Sequence, residues 1–107
     1  MLKSLDRGIG KIFDALENLS ISDNTLIIFS SDNGGADYIH LSNINKPYRG
    51  WKLTHFEGGM HIPFMAKWPN KIEAGSIYDY PIHQNDILPT VAEAAGAQVP
   101  NDRIIDG

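Results

Sequence analysis

The fold is decided by residues 25–35, which read Thr-Leu-Ile-Ile-Phe-Ser-Ser-Asp-Asn-Gly-Gly. Residues 26–29 are apolar without alternation, which is typical of a strand buried on both faces of a parallel sheet. The run then breaks at Asp32 and Asn33, which are followed by two glycines. In open α/β sheets, ligands bind in the loops that leave the carboxyl ends of the strands. We therefore expect Asp32 and Asn33 to lie at a functional site.

An amphipathic helix is predicted before this strand. Apolar residues recur at spacings of mostly three and four over residues 2–19, with charged residues elsewhere around the helix. Gly8 and Gly10 each cost about 1 kcal/mol in a helix interior, so we expect both to pack closely against a neighbour. The pattern is already running at Met1 without a capping residue before it, which predicts a chain cut from a longer one.

A second strand and a second helix are predicted after it. Residues 36–48 are polar and irregular, as in a surface loop. Residues 62–68 form another apolar run and predict a strand. Asn85 or Asp86 can cap a last helix, which Gly96 would end. A strand buried on both faces needs more layers than these elements supply, so we infer part of a larger α/β domain.

The composition excludes several classes of protein. A length of 107 residues allows at most one domain, and 42% hydrophobic with 21% charged residues is typical of a globular chain. The net charge of −4 and the lack of a basic cluster argue against nucleic-acid binding. No apolar run approaches the roughly 18 residues of a membrane span, and no signal peptide is recognisable. The absence of cysteine excludes disulfides, thiolate zinc sites and a Cys nucleophile within this chain.

Asp32 and Asn33 offer two hard oxygen ligands. Such ligands suit Ca²⁺, and less well Mg²⁺, rather than zinc or copper. Because Ca²⁺ takes about six to eight oxygens, most of its shell would come from elsewhere. The alternative is purely structural, since Asn33-Gly34 is a favoured hairpin turn that Asp32 would cap. The strand does not alternate and residues 36–39 match it poorly, which argues against a hairpin.

A second group of polar side chains occupies residues 49–59, Arg-Gly-Trp-Lys-Leu-Thr-His-Phe-Glu-Gly-Gly. Lys52 can hold an anionic substrate oxygen there, and the alternative is a solvated surface lysine. The Glu-Gly-Gly sequence predicts a tight turn that needs backbone freedom, and Glu57 can equally brace this loop. The histidines lack the spacing of metal ligands on a common helix and are each interpreted as structural: His40, His55, His61 and His83.

Several motifs in a fixed order resemble the type I sulfatases, the arylsulfatase-like members of the alkaline phosphatase superfamily. These motifs are Ser-Asp-Asn-Gly-Gly at 31–35, Pro-Tyr-Arg-Gly-Trp-Lys at 47–52, Phe-Glu-Gly-Gly-Met-His-Ile-Pro at 56–63 and Trp-Pro at 68–69. The flanking helices and Asp106-Gly107 also look like family segments. The resemblance covers essentially the whole chain, and the order and spacing of its parts make it specific.

The resemblance implies an α/β fold, in which this chain is part of an alkaline-phosphatase-like sandwich with a mostly parallel central sheet flanked by helices. Residues 1–107 would then be a partial sulfatase catalytic domain, lacking the N-terminal nucleophile segment and the C-terminal part. The implied activity is hydrolysis of an aryl or carbohydrate sulfate ester, with the remainder of the domain as the chain's partner. Many relatives are periplasmic, secreted or lysosomal, and this sequence does not choose between these compartments.

The resemblance also implies roles for individual residues. Asp32 and Asn33 would be two of the ligands of an active-site calcium ion, and Lys52 would bind the sulfate group. The loop that presents Lys52 would be shaped by Glu57, Gly58 and Gly59.

Other family features are missing from this sequence. The family's nucleophile is a formylglycine made from a Cys/Ser-x-Pro-x-Arg motif, and these residues contain no such motif. The upstream aspartates, an upstream lysine and the histidine acid are missing as well, and His61 stands where many relatives carry arginine. We therefore expect the isolated chain to be inactive.

Two other functions fit the residues. The first is a free-standing, non-catalytic module, which would retain only the edge of the sulfatase fold and a weak metal site. Tight calcium binding by the isolated chain would favour this module. A phosphoester or phosphonate hydrolase of the same superfamily would use Thr or Ser as its nucleophile. The sequence does not name the substrate, and residues 36–46 form its one variable-looking loop.

Overall fold

The computed structural model describes all 107 residues. They form two compact units, Met1–Ala74 and Gly75–Gly107. None of the helices combines the length and the apolar content that crossing a membrane requires. The elements are helix α1 (Leu2–Asn18), strand β1 (Ile27–Ser30), helix α2 (Glu57–Met60), strand β2 (Phe64–Lys67) and helix α3 (Ile87–Ala94), with short 3-10 turns at Ser22–Asn24, Asp37–Ile39 and Gln84–Asp86.

Strands β1 and β2 form a two-stranded antiparallel sheet, in which Ile27 lies opposite Lys67 and Ser30 opposite Phe64. The mostly parallel arrangement predicted for the central sheet is not present among these residues. The connection between the strands explains the difference, because it leaves and re-enters the sheet at the same end. A parallel pair would need a crossover that returns the chain to the opposite end.

Strand β1 is less buried than its sequence predicts. Its residues are half-buried, apart from Phe29, which is 36% exposed. Strand β2 is exposed along its whole length. The prediction of burial on both faces therefore fails within this chain, because one neighbouring strand cannot cover both faces and the free edge of β1.

Helix α1 confirms the predicted amphipathic helix and ends in a Schellman motif. Ser20 adopts a left-handed conformation with φ of 57°. The amide of Ile21 donates to the Leu16 carbonyl at 3.1 Å, which satisfies a carbonyl group of the last turn. The prediction that Gly8 and Gly10 pack closely is wrong in this structure, because a Cβ at either position would meet nothing within 4 Å.

Helix α3 belongs to the second unit, and the side-chain cap before it is His83 rather than the predicted Asn85 or Asp86. The ring Nδ1 of His83 accepts from the Asn85 amide at 3.1 Å, while the Asp86 carboxylate accepts from the His83 amide at 2.6 Å. This reciprocal capping box closes the 3-10 turn that leads into the helix. The predicted end of the helix is confirmed, since Gly96 has φ of 67° and its amide bonds the Glu93 carbonyl at 2.9 Å.

Candidate functional site

The chain turns sharply where strand β1 ends. The Ser31 hydroxyl donates to the Asn33 carbonyl at 2.9 Å, and the side-chain Nδ2 of Asn33 donates to the Gly34 carbonyl at 2.9 Å. The hairpin alternative is excluded, because β1 pairs with β2 and not with residues 36–39. The turn at 31–35 therefore connects the strand to a long loop, as a ligand-binding loop would.

The segment that carries Lys52, residues 48–52, is hydrogen-bonded directly to this turn. The Lys52 amide donates to the Gly35 carbonyl at 3.1 Å. Asn45 reinforces the junction, since its Oδ1 accepts from the Gly35 amide at 2.7 Å. Its Nδ2 donates to the Gly35 carbonyl at 2.9 Å and to the Gly50 carbonyl at 3.0 Å. The predicted metal-ligand turn and the predicted sulfate-binding segment are thus neighbours.

Helix α2 packs against both segments through its glycines. The Gly34 amide donates to the Gly59 carbonyl at 2.9 Å, and the Gly58 amide donates to the Arg49 carbonyl at 2.7 Å. A Cβ at Gly58 would lie 2.7 Å from the Arg49 oxygen, and one at Gly59 would lie 2.6 Å from the Trp51 oxygen. These separations are shorter than atoms tolerate, so no side chain fits at either position.

The Glu-Gly-Gly sequence is one turn of α-helix and not the tight turn predicted for it. Neither Gly58 nor Gly59 has a positive φ, whereas Gly50 in the neighbouring segment does, with φ of 90°. The glycines of α2 are therefore required for close approach of backbones and not for conformational freedom. The carboxylate of Glu57 lies 3.3 Å from the ring of His61, on the next turn.

Burial in the chain is concentrated at this junction. The buried residues of the chain are Gly34, Ala36, Gly58 and Gly59. Gly34 belongs to the turn at 31–35, Ala36 follows that turn directly, and the other two belong to helix α2. The structure therefore has its most constrained point where the two predicted site segments meet.

An open cleft of about 350 Å³ lies beside the turn. Polar residues that line it include Ser31, Asn33, Asn45, Lys46, Tyr48 and His61. Of the predicted ligands, Asn33 lines this cleft, whereas the exposed Asp32 and the half-buried Lys52 are not among its lining residues. The structure thus brings the backbones of the predicted residues together, but their side chains do not all share this one cavity.

Two residues of this site were missed by sequence reasoning. Asn45 joins the turn to the Lys52 segment, and Tyr48 contacts His61 through ring stacking, with centroids 4.2 Å apart. Both lie in the irregular stretch 36–48, which has no periodicity that could have singled them out. The Pro-Tyr-Arg part of the family motif was the one available signal for Tyr48.

The donor set fits part of a calcium site. The side-chain nitrogen Nδ2 of Asn33 makes the hydrogen bond within the turn, so the side-chain oxygen Oδ1 remains available as a ligand atom. Asp32 supplies the adjacent carboxylate. No group of three or more His, Cys, Asp or Glu side chains is close enough to hold a metal. These residues can therefore contribute to a shell of oxygen ligands but do not complete one.

Comparison with known proteins decides the family. The family model described as Sulfatase matches residues 1–97. The chain belongs to the sulfatase family. It is 40% identical to human steryl-sulfatase and 41% identical to mouse N-acetylgalactosamine-6-sulfatase, in each case over 99% of this chain. The aligned parts make up 19% and 21% of those sulfatases, so this chain spans about a fifth of their length.

Solved structures confirm the fold. The crystal structure of Ps i-CgsB in complex with k-i-k-neocarrahexaose matches all of this chain with a TM-score of 0.92 and 38% identity, and this chain covers 23% of that protein. A second match, BT33336S-sulf from Bacteroides thetaiotaomicron, has a TM-score of 0.78 over 92% of this chain and 31% identity. The predicted α/β sulfatase fold is therefore correct, with the antiparallel β1–β2 pair as this chain's share of the sheet.

The glycine contact yields a stability prediction. We expect Gly34→Ala to lower the free energy of unfolding by about 1–3 kcal/mol, the usual cost of overpacking, because the added Cβ would overlap the Gly58 carbonyl oxygen. The matched control is Gly8→Ala, where open space surrounds the added atom and helix propensity favours alanine by about 1 kcal/mol. Urea unfolding of both variants measures the free energy of unfolding. Equal stability of Gly34→Ala and wild type would contradict the close contact between Gly34 and the Gly58 carbonyl.

Proposed function

We propose that the protein carrying these residues hydrolyses sulfate esters, and that this chain supplies part of the catalytic site. The observation that carries the proposal is the hydrogen bond of 3.1 Å between the Lys52 amide and the Gly35 carbonyl. It joins a lysine to a turn that bears a carboxylate and an amide oxygen. Family membership supports the reaction class, because the relatives are named sulfatases.

Lys52 is proposed to bind the sulfate group. Its backbone is fixed at the turn, and the residue as a whole is half-buried. A cation held in place before the reaction stabilises the negative charge that concentrates on the sulfate oxygens without reorganising during the reaction.

Asp32 and Asn33 are proposed to hold a calcium ion together with ligands from outside this chain. The consecutive carboxylate and amide oxygens match the hard ligands that Ca²⁺ prefers. Mg²⁺ fits less well, because it demands near-ideal octahedral geometry. When bound, the ion supplies positive charge that stabilises a sulfate oxygen. Asp32 and Asn33 themselves hold and orient the ion.

The nucleophile is proposed to lie outside residues 1–107. These residues contain neither cysteine nor a Ser-x-Pro-x-Arg motif. Many large apolar side chains are exposed, among them Leu2, Leu5 and Ile12 of helix α1. Apolar surface of this extent is favourable only when it is covered. Both observations support a catalytic domain completed by the rest of the protein.

The substrate class is proposed to be an aryl or carbohydrate sulfate ester. One structural relative is described in complex with neocarrahexaose, and two sequence relatives are named for steryl and N-acetylgalactosamine sulfates. The loop at 36–46 borders the cleft through Ile44, Asn45 and Lys46. We assign substrate choice in this region to that loop.

Replacing Lys52 tests the proposed sulfate site. In the full-length gene product, Lys52→Ala is expected to lower kcat/KM for para-nitrophenyl sulfate by about 10²–10³-fold, as for the loss of one preorganised charge-stabilising group. The control is Lys71→Ala, an exposed lysine outside the site. Unchanged turnover by Lys52→Ala would remove this lysine from the sulfate site. Faster hydrolysis of the matching phosphate ester by the wild type would instead favour the phosphoester hydrolase.

Replacing Asp32 tests the proposed metal site. Asp32→Asn keeps the size of the side chain but removes its charge, and the number of charged ligands tunes calcium affinity. We expect the free calcium concentration that gives half-maximal activity to rise by about tenfold or more. Asp79→Asn, which changes an exposed carboxylate outside this site, is the control. An identical calcium titration for Asp32→Asn and wild type would return Asp32 to a turn-capping role.

A further inference from the structure

The Lys52 segment is attached to its surroundings mainly by backbone groups. The Arg49 carbonyl accepts from helix α2, the Gly50 carbonyl accepts from Asn45, and the Lys52 amide donates to the turn. At the start of the segment, the side chain of Tyr48 makes the attachment. Its hydroxyl lies 3.3 Å from Nε2 of His61, and the two rings stack with an interplanar angle of 21°.

His61 is itself held from its other side. Nδ1 of its ring lies 3.3 Å from the Glu57 carboxylate, one helical turn earlier. Its backbone amide donates to the Glu57 carbonyl at 2.7 Å, so the residue is fixed at the end of helix α2. Glu57, His61 and Tyr48 thus form a continuous bridge from α2 to the start of the Lys52 segment.

We propose that His61 is a positioning residue for the hydrolysis reaction, acting through Tyr48 to hold the segment that presents Lys52. The inference rests on the proposed sulfate-binding role of Lys52. In this proposal, Tyr48 and His61 act together to hold the Lys52 segment in place. Both hydrogen-bond distances, at 3.3 Å, lie just beyond the usual range. The stacked rings of Tyr48 and His61 therefore carry part of the attachment.

The partners of the ring determine where its protons lie. An ionised carboxylate can only accept hydrogen bonds, so Nδ1 of His61 carries a proton and donates it to Glu57. In the neutral ring, Nε2 is then the acceptor for the Tyr48 hydroxyl proton. The assignment follows from the hydrogen-bond partners. The two nitrogens therefore have separate tasks, one anchoring the ring to α2 and the other reaching the Lys52 segment.

These separate tasks allow a matched pair of substitutions at one position. The amide of His61→Gln reaches the place of Nε2 and can still accept from Tyr48, whereas the shorter amide of His61→Asn replaces only Nδ1. We expect His61→Asn to lower kcat/KM for para-nitrophenyl sulfate roughly five- to tenfold, the scale of one lost hydrogen bond. His61→Gln keeps the acceptor but, like His61→Asn, loses the stacked ring, so its kcat/KM is expected to lie between those of wild type and His61→Asn. Equal losses in both variants would overturn the bridge to Tyr48.

Replacing Tyr48 tests the other end of the bridge. Tyr48→Phe keeps the ring and removes only the hydroxyl, so its losses in kcat/KM and melting temperature are expected to be no larger than those of His61→Asn. The double variant of Tyr48→Phe with His61→Asn is expected to lose no more than His61→Asn alone, because His61→Asn already removes the partner of the Tyr48 hydroxyl. Additive losses would contradict the inference. Tyr78→Phe, on an exposed tyrosine outside the cleft, is the control.

The Lys52→Ala background separates this inference from the proposed function. If the bridge acts through Lys52, then Tyr48→Phe has no further effect on the residual activity of Lys52→Ala. A further five- to tenfold loss there would show that the bridge acts on substrate directly, which overturns the inference but leaves the role of Lys52 intact. Full activity of Lys52→Ala itself would overturn both the proposed sulfate site and the positioning role.

Discussion

The site depends on a contact between backbones that leaves no room for side chains. In the turn after β1, the Gly34 amide donates a hydrogen bond to the Gly59 carbonyl of α2. The Gly58 amide of α2 donates to the Arg49 carbonyl in the Lys52 segment. An added Cβ at any of these glycines would overlap a neighbouring backbone atom. Because backbone hydrogen bonds fix both distance and direction, this contact places the Asp32–Asn33 turn and the Lys52 segment at a defined separation.

Much of this could be predicted from the sequence, because strong local signals mark the relevant elements. The non-alternating apolar run ending in Asp32 and Asn33 correctly predicts a strand followed by a polar turn, and the α1 pattern predicts a helix that is observed. The Gly58–Gly59 pair correctly marks a constrained point, but for the wrong physical reason. A glycine that supplies a positive φ and one that permits close approach look the same in a sequence.

The rest could not be predicted because it depends on contacts between distant segments. Asn45 connects residues on either side of it in the chain, and an isolated asparagine in a polar loop carries no sign of that role. The antiparallel pairing of β1 with β2 is likewise a property of the connection between them. An apolar run indicates burial, but it does not determine the direction of the neighbouring strand. In the same way, the contact between Tyr48 and His61 depends on the helical turn at Glu57–Met60.

Amide hydrogen exchange tests the central claim most directly, because it reports on the backbone bonds themselves. In the protein carrying these residues, the amides of Gly34, Lys52 and Gly58 are predicted to exchange slowly and at similar rates, as members of one cooperative unit. The amides of residues 77–80, all of which are exposed residues, supply the fast reference within the same chain. Exchange of Lys52 or Gly34 as fast as that reference would contradict the account, because the two site segments would then not be held together.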